Sequence, residues 1–177
     1  MTNYIYIATS LDGFIATNDG GLDWLDEIPN PEKSDFGFAE FMSGIDAILM
    51  GRRTFEKVLT SGLWPYEKPV YVLSKSKVDV PKELESKVKT INGNPKELVD
   101  RLKELGHQNL YVDGGITIQS FLEEDLIDEM IITRVPVLLG NGIPLFDSLT
   151  RRLHFCHKKT ELLNEMLVKS FYSRVRE

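Results

Sequence analysis

Apolar residues in this chain come in short dense runs that end in polar or glycine-containing stretches. The spacing within the runs alternates between strand-like and helix-like. Residues 4–9 (YIYIAT) form a β-rich run, followed by the turn pair Asp12-Gly13 and a glycine-containing loop at 18–24. Residues 46–51 (DAILMG) read as a strand, and residues 69–74 (PVYVLS) as another whose apolar density implies burial on both faces. Residues 109–115 (NLYVDGG) give a strand and a glycine turn. Helical spacing fills the gaps. Residues 34–43 fit a short helix capped by Ser34 with Phe38, Phe41 and Met42 on one face, although Gly37 costs roughly 1 kcal/mol against alanine there. Residues 54–62 form a helix closed by Gly62, and residues 116–124 another. The clearest helix covers 94–106: Asn94 caps it, Pro95 suits its first turn, Leu98, Leu102 and Leu105 form its apolar stripe, and Gly106 closes it.

Towards the end, residues 128–140 predict a strand region interrupted by Pro136, and residues 153–163 and 166–175 an antiparallel pair joined near Asn164. Strands alternating with helices, then a strand-rich tail, predict an α/β fold occupying residues 1–177 as a single domain. Its central sheet is mostly parallel, with helices on both faces and an antiparallel C-terminal edge.

A chain of 177 residues is long enough to bury one core without metal or disulfide staples. Its apolar stretches are strand-sized, so no membrane-spanning helix is expected, and the opening MTNYIYIATS reads as a first strand rather than a signal peptide. A cytoplasmic location is the expectation, in keeping with the lone Cys156. No metal site is expected: in a strand, the HFCH stretch places His154 and His157 on opposite faces. The formal net charge of −6 argues against nucleic acid as a partner. Any anion site must therefore be local.

Three strand ends offer such a site. MGRRT follows one strand, LSKS at 73–76 another, and DGGIT at 113–117 a third, and in open α/β sheets ligands gather beyond these carboxyl ends. Gly51, Gly114 and Gly115 permit close backbone approach, and helix N-termini after the first and third turns present free N–H groups to a diphosphate. Arg52, Arg53, Ser74 and Lys75 supply donors for a further phosphate monoester, the group that separates NADP from NAD. The residues by themselves specify an anion or nucleotide pocket and no more.

The ordered stretches IYIATSLDGFIA (5–16), DW (23–24), AILMGRRTFE (47–56), PVYVLSKS (69–76), LYVDGGITI (110–118) and IDEMIITRVPVLLGNGIPLF (127–146) resemble the dihydrofolate reductase superfamily. The resemblance extends to the reductase domain of the bifunctional riboflavin-biosynthesis deaminase/reductase. It implies an eight-stranded, mostly parallel sheet with NADPH lying across the strand ends. By position, Gly51, Arg52, Arg53 and Thr54 would hold phosphates and the adenosine end, and Leu73, Ser74 and Lys75 would flank the adenine and its ribose phosphate. Gly114, Gly115, Ile116, Thr117 and Ile118 would meet the diphosphate, and Ala8 and Ile15 the nicotinamide end.

Asp12, which resembles the aspartate of the family's first loop, is a candidate catalytic acid, and Trp24, Phe38 and Thr133 are the candidate substrate-facing residues. Asp35 is the candidate buried acid, although matching Phe41 to the family's helix aromatic places Gly37 where folate reductases carry theirs. The implied activity is NADPH-dependent reduction of a small heterocycle, a ribosylaminopyrimidine or a pterin, by a homodimer. A protein that binds NADP(H) without turnover is the alternative.

Overall fold

Parallel pairing of short apolar strands builds the centre of the computed structural model, which describes residues 1–176. Strands β1 (Thr2–Thr9), β3 (Ala47–Gly51), β4 (Val70–Leu73), β5 (Val88–Ile91), β6 (Asn109–Asp113) and β7 (Glu129–Arg134) all run the same way. Two long strands, β9 (His154–Leu163) and β10 (Leu167–Val175), close one edge antiparallel, giving the order β5-β4-β3-β6-β1-β7-β10-β9. Two short strands, β2 (Phe14–Ala16) and β8 (Ile143–Pro144), pair separately and antiparallel.

Strand alternation sorts the core into two layers. On one face Ala47, Leu49, Leu110 and Val112 meet helix α4 (Pro95–Glu104) through Leu98 and Leu102, and α5 (Gly115–Glu123) through Ile118, Phe121 and Leu122. On the other face Ile48, Met50, Val70, Val72 and Tyr111 meet α3 (Arg52–Thr60) through Phe55, and α2 (Phe38–Ser43) through Phe38 and Phe41. Full burial of a side chain such as Phe55 is worth about 1.5–3 kcal/mol. A third, smaller cluster forms around Trp24 of α1 (Asp23–Asp26) with Val135 and Leu167. The expected class, an α/β fold with helices on both faces and an antiparallel C-terminal edge, is the observed one. Among the described residues no helix is long and apolar enough to cross a membrane.

Several boundaries differ from the sequence reading. The helix placed at 34–43 begins only at Phe38, because Phe36 (φ 54°) and Gly37 (φ 85°) adopt left-handed backbone that cannot continue a helix. The helix placed at 54–62 starts two residues earlier, so Arg52 and Arg53 belong to its first turn. Leu105 is 62% exposed: the chain turns off at Gly106 (φ 93°), leaving Leu98 and Leu102 as the stripe. Strands β2, β5 and β8 had no counterpart in the sequence pattern, being short and only partly buried.

Candidate active site

Strands β3 and β6 lie side by side, Met50 opposite Asp113, yet the helices that follow them depart to opposite faces of the sheet. That divergence opens a crevice at the strand ends, the place where α/β sheets hold ligands. The two turns touch. A Cβ on Gly51 would stand 3.0 Å from Thr117 Oγ1, and one on Gly114 would run into Thr54 Oγ1. Gly114 also has φ 89° and ψ 131°, a conformation open to glycine alone. Gly51 and Gly114 are the N-caps of α3 and α5, and no side chain among the described residues caps either helix. First-turn N–H groups and two helix dipoles are thereby directed at one spot.

Arg52 connects this spot to the strand end next door, where Gly51 is opposite Leu73. Its Nε bonds to Glu56 Oε1 at 2.6 Å and its Nη1 donates to Ser76 Oγ at 3.1 Å, while Ser74 Oγ donates to Ser76 O at 2.8 Å. Ser76, quoted in the LSKS stretch but passed over as a site residue, is thus part of the group. Arg53 and Lys75 are exposed beside it, and Leu73 is partly buried in the core. Around the glycine turn after β6, a Cβ on Gly115 would press on Ile15 Cδ1 at 2.8 Å, and Ile116 is 69% exposed at the mouth. Ile118 is corrected: it is fully buried in the core and its N–H already donates to Gly114 O at 2.9 Å, because α5 turns that position toward the sheet.

Neither of the two candidate acids is buried. Asp35 is exposed rather than buried, and its carboxylate accepts the N–H groups of Ala39 (2.8 Å) and Gly37 (2.9 Å), bonds that hold its pKa below the usual carboxylate value. It serves the start of α2, and an ionised exposed acid is a poor proton donor. Asp12 is likewise exposed and its pKa is lowered, first by Ser10 Oγ (2.6 Å) and then by the N–H groups of Gly140 (2.8 Å) and Leu139 (3.2 Å). It fastens the loop after β1 to the segment after β7.

The acid that sequence reasoning missed is Asp113. Alternation after Val112 turns it to the Tyr111 side of β6, and burial pushes its pKa up to about 6 against the opposing bond from the Gly114 N–H (2.8 Å). Burial first, and the Asp113 charge second, raise the phenols of Tyr66 and Tyr111. Residues Tyr6, Phe38, Phe41, Tyr66 and Tyr111 form a connected set of ring contacts on this face, with Phe38 at 5.7 Å from Tyr6.

Ala8 and Thr133 face each other across β1 and β7, and Lys169 of β10 continues the row. Lys169, 6% exposed, donates to Phe36 O at 2.8 Å, the carbonyl that also accepts Tyr6 OH at 2.9 Å. Trp24 belongs to the neighbouring cluster with Val135 and Leu167, against which Ala8 packs, and its buried Nε1 has no partner among the described residues. A donor is left there for a bound group or water. Between α1 and α3 runs a cleft of about 600 Å³.

These residues fit a phosphorylated dinucleotide: touching glycine turns, two open helix ends, and an arginine–serine group one strand away. Residues 4–169 match the family described as the RibD C-terminal domain. The chain is 41% identical over 161 residues to the uncharacterized protein YwjB of Bacillus subtilis, covering 89% of each. It shares 47% identity and a TM-score of 0.95 with the crystal structure of a Shewanella sp. PV-4 protein named for riboflavin biosynthesis, covering 99% of this chain and 100% of that one. Dihydrofolate reductase from Enterococcus faecalis, complexed with NADP(H), shares the fold at a TM-score of 0.66 and 14% identity, with 99% and 97% coverage. The chain belongs to the RibD C-terminal domain family.

Proposed function

We propose that this member of the RibD C-terminal domain family is an NADPH-dependent reductase of a small heterocycle. A ribosylaminopyrimidine of the riboflavin-pathway type, as in 5-amino-6-(5-phosphoribosylamino)uracil reduction, is the leading substrate class, and a pterin such as dihydrofolate the second. One observation carries the reading: the uncapped N-termini of α3 and α5 converge at the divergence of β3 and β6.

When bound, the nicotinamide cofactor supplies hydride. The protein's part is to hold, orient and protonate. First-turn amides of α3 and α5 hold the diphosphate, and Gly114 and Gly115 let the backbone come close enough to do so. Arg52, Arg53, Ser74, Lys75 and Ser76 take the ribose phosphate, with Arg52 pre-positioned by Ser76 and Glu56. Ala8 and Ile15 flank the nicotinamide end, and Trp24, Phe38 and Thr133 the substrate. Asp113, its carboxyl pKa pushed up to about 6 by burial, is the group assigned to pass a proton on. The exposed, backbone-bound state of Asp12 and Asp35 favours the second reading, a protein that binds NADP(H) without turnover.

Titration with NADPH and NADH, followed by nicotinamide fluorescence, tests the cofactor. NADPH is expected to bind more tightly, and Arg52→Ala with Arg53→Ala to weaken NADPH by about 10- to 100-fold, the worth of a charge-assisted hydrogen bond, with little effect on NADH. Equal losses contradict the phosphate assignment, and no binding of either nucleotide defeats both readings. NADPH oxidation with the aminopyrimidine and with dihydrofolate then separates enzyme from binder.

A further inference from the structure

Lys169 stands among the residues assigned to the substrate. It pairs with Thr133 from β10 as Ala8 does from β1, and residues paired across a sheet share a face. Tyr6, two residues before Ala8, lies on that face as well: its ring is 5.2 Å from Lys169 Nζ and 5.7 Å from the ring of Phe38. Leu167, two residues before Lys169, packs with Trp24, and so does Phe36, whose carbonyl accepts from the ammonium at 2.8 Å. The Lys169 side chain is 7% exposed. An ammonium carries three N–H groups, and among the described residues Phe36 O is the one acceptor within hydrogen-bond distance. Glu161 Oε2, at 3.9 Å, is beyond it, and the other oxygen of that carboxylate accepts from Lys159 at 2.7 Å. Gly37 leaves the ammonium its room, since a Cβ there would stand 2.9 Å from Nζ.

Burying a charge is costly unless its hydrogen bonds are met. Holding the Phe36 carbonyl does not require that cost, because Tyr6 OH already donates to it at 2.9 Å. We infer that Lys169 contacts the substrate and sets its specificity, donating to a carbonyl oxygen of the bound ring. The inference rests on the reductase reading and adds to it a residue that reads the ring's polarity. Asp113 shares the face on β6, with β1 and β7 between it and Lys169, so the ring lies between a carboxyl and an ammonium. A ring edge of carbonyl oxygens completes the hydrogen bonds of the ammonium. An edge of amino groups sets donor against donor and leaves the buried charge unmatched.

The test uses the full chain saturated with NADPH, titrated calorimetrically with 5,6-diaminouracil and with 2,4,5,6-tetraaminopyrimidine. These probes carry carbonyls or amino groups at the same two ring positions. The diaminouracil is expected to bind about 10- to 100-fold more tightly, the worth of a hydrogen bond from a charged donor. Lys169→Met keeps the apolar stem and leaves Phe36 O to Tyr6; it should bring the ratio of the two affinities close to one while NADPH affinity stays within about twofold, as expected when a single contact is removed. Lys169→Gln, which retains a neutral donor, should lower the ratio by a smaller factor, and it carries the test if the methionine variant does not fold. Wild type binding both probes alike, or preferring the tetraamine, overturns the inference. So does a loss in either variant that is equal for both probes, which marks Lys169 as a tie that only shapes the pocket. Binding of NADPH but of neither probe also overturns it, by removing the ring from this face. Failure to bind NADPH at all strikes the proposed function instead, and the inference with it.

Discussion

Helix α4 and the pair α3 and α5 meet the same local problem in opposite ways. Every helix starts with N–H groups that have no intrahelical acceptor. At α4 the chain solves this itself: the Asn94 side chain accepts the Glu97 N–H at 3.0 Å, the Glu97 carboxylate accepts the Asn94 N–H at 3.1 Å, and Pro95 removes a further donor. At α3 and α5 the N-caps are glycines, without a capping side chain among the described residues, and they touch each other's first turns. A self-capped end needs no ligand and contributes stability. An open end gives up that stability, and two open ends meeting where the sheet diverges form an anion receptor.

The sharpest way to break this contrast is Gly114→Ala. At φ 89° and ψ 131° a Cβ is strained, and it would collide with Thr54. A loss of about 3 kcal/mol, the upper end for a residue forced into a glycine-only conformation, is expected in denaturant unfolding. NADPH binding should fall by more than 100-fold, because displacing Thr54 moves the N-terminus of α3 as well. Wild-type affinity in a folded variant would mean that the two turns do not form the receptor.

Asp113 sharpens the contrast through charge. Glu97 is exposed and part of a cap, whereas Asp113 precedes an open helix and is held in a wall of tyrosines. Its folded pKa of about 6 lies above the ordinary 3.8, so the folded state binds the proton more tightly than the unfolded state does. Stability from this group is therefore present at low pH and is lost as pH rises from 3.8 to about 6, a penalty of at most about 3 kcal/mol at pH 7. Asp113→Asn should be more stable than wild type at pH 7 and nearly equal to it at pH 4. Comparing the two proteins at each pH cancels carboxylates such as Asp125, whose pairing with Arg174 acts in the opposite direction. NADPH oxidation should drop about 100-fold, as expected for loss of a general acid. A variant no more stable at pH 7 would show that Asp113 carries no burial penalty.

Locally encoded features were readable from the sequence, and those set by distant contacts were not. Four residues, Asn94 to Glu97, specify the start of α4, and the strand–glycine–helix units at 47–60 and 109–123 carry their signals within a few positions. Helix α5 shows where that stops. It is apolar on most sides, so the sequence did not reveal that Ile116 faces out and Ile118 in. Strand β5 has only Val88 and Ile91 turned inward, and the short β2 and β8 become strands only by meeting each other across the chain. The raised pKa of Asp113 comes from burial, to which no local pattern points, and the partnership of Arg52 with Ser76 spans 24 residues. Asp35 misled for the converse reason: a carboxylate two residues before Gly37 had a local use, at the start of α2, and the structure follows it.

The smallest predicted effect tests the other half of the contrast. Asn94→Ala removes the side chain that accepts the Glu97 N–H and leaves the reciprocal bond from Glu97 without its counterpart. The expected cost is about 1 kcal/mol, seen as a lower urea midpoint at unchanged slope. Helix α4 packs through Leu98 and Leu102, on the side of the sheet opposite Phe55 of α3, and its N-terminus follows β5, two strands from β3. NADPH affinity should therefore stay within about twofold of wild type, since distant sites without shared partners act independently. If instead nucleotide binding weakened along with stability, the capped and open helix ends would be energetically coupled, and their division into one structural end and two functional ends would fail.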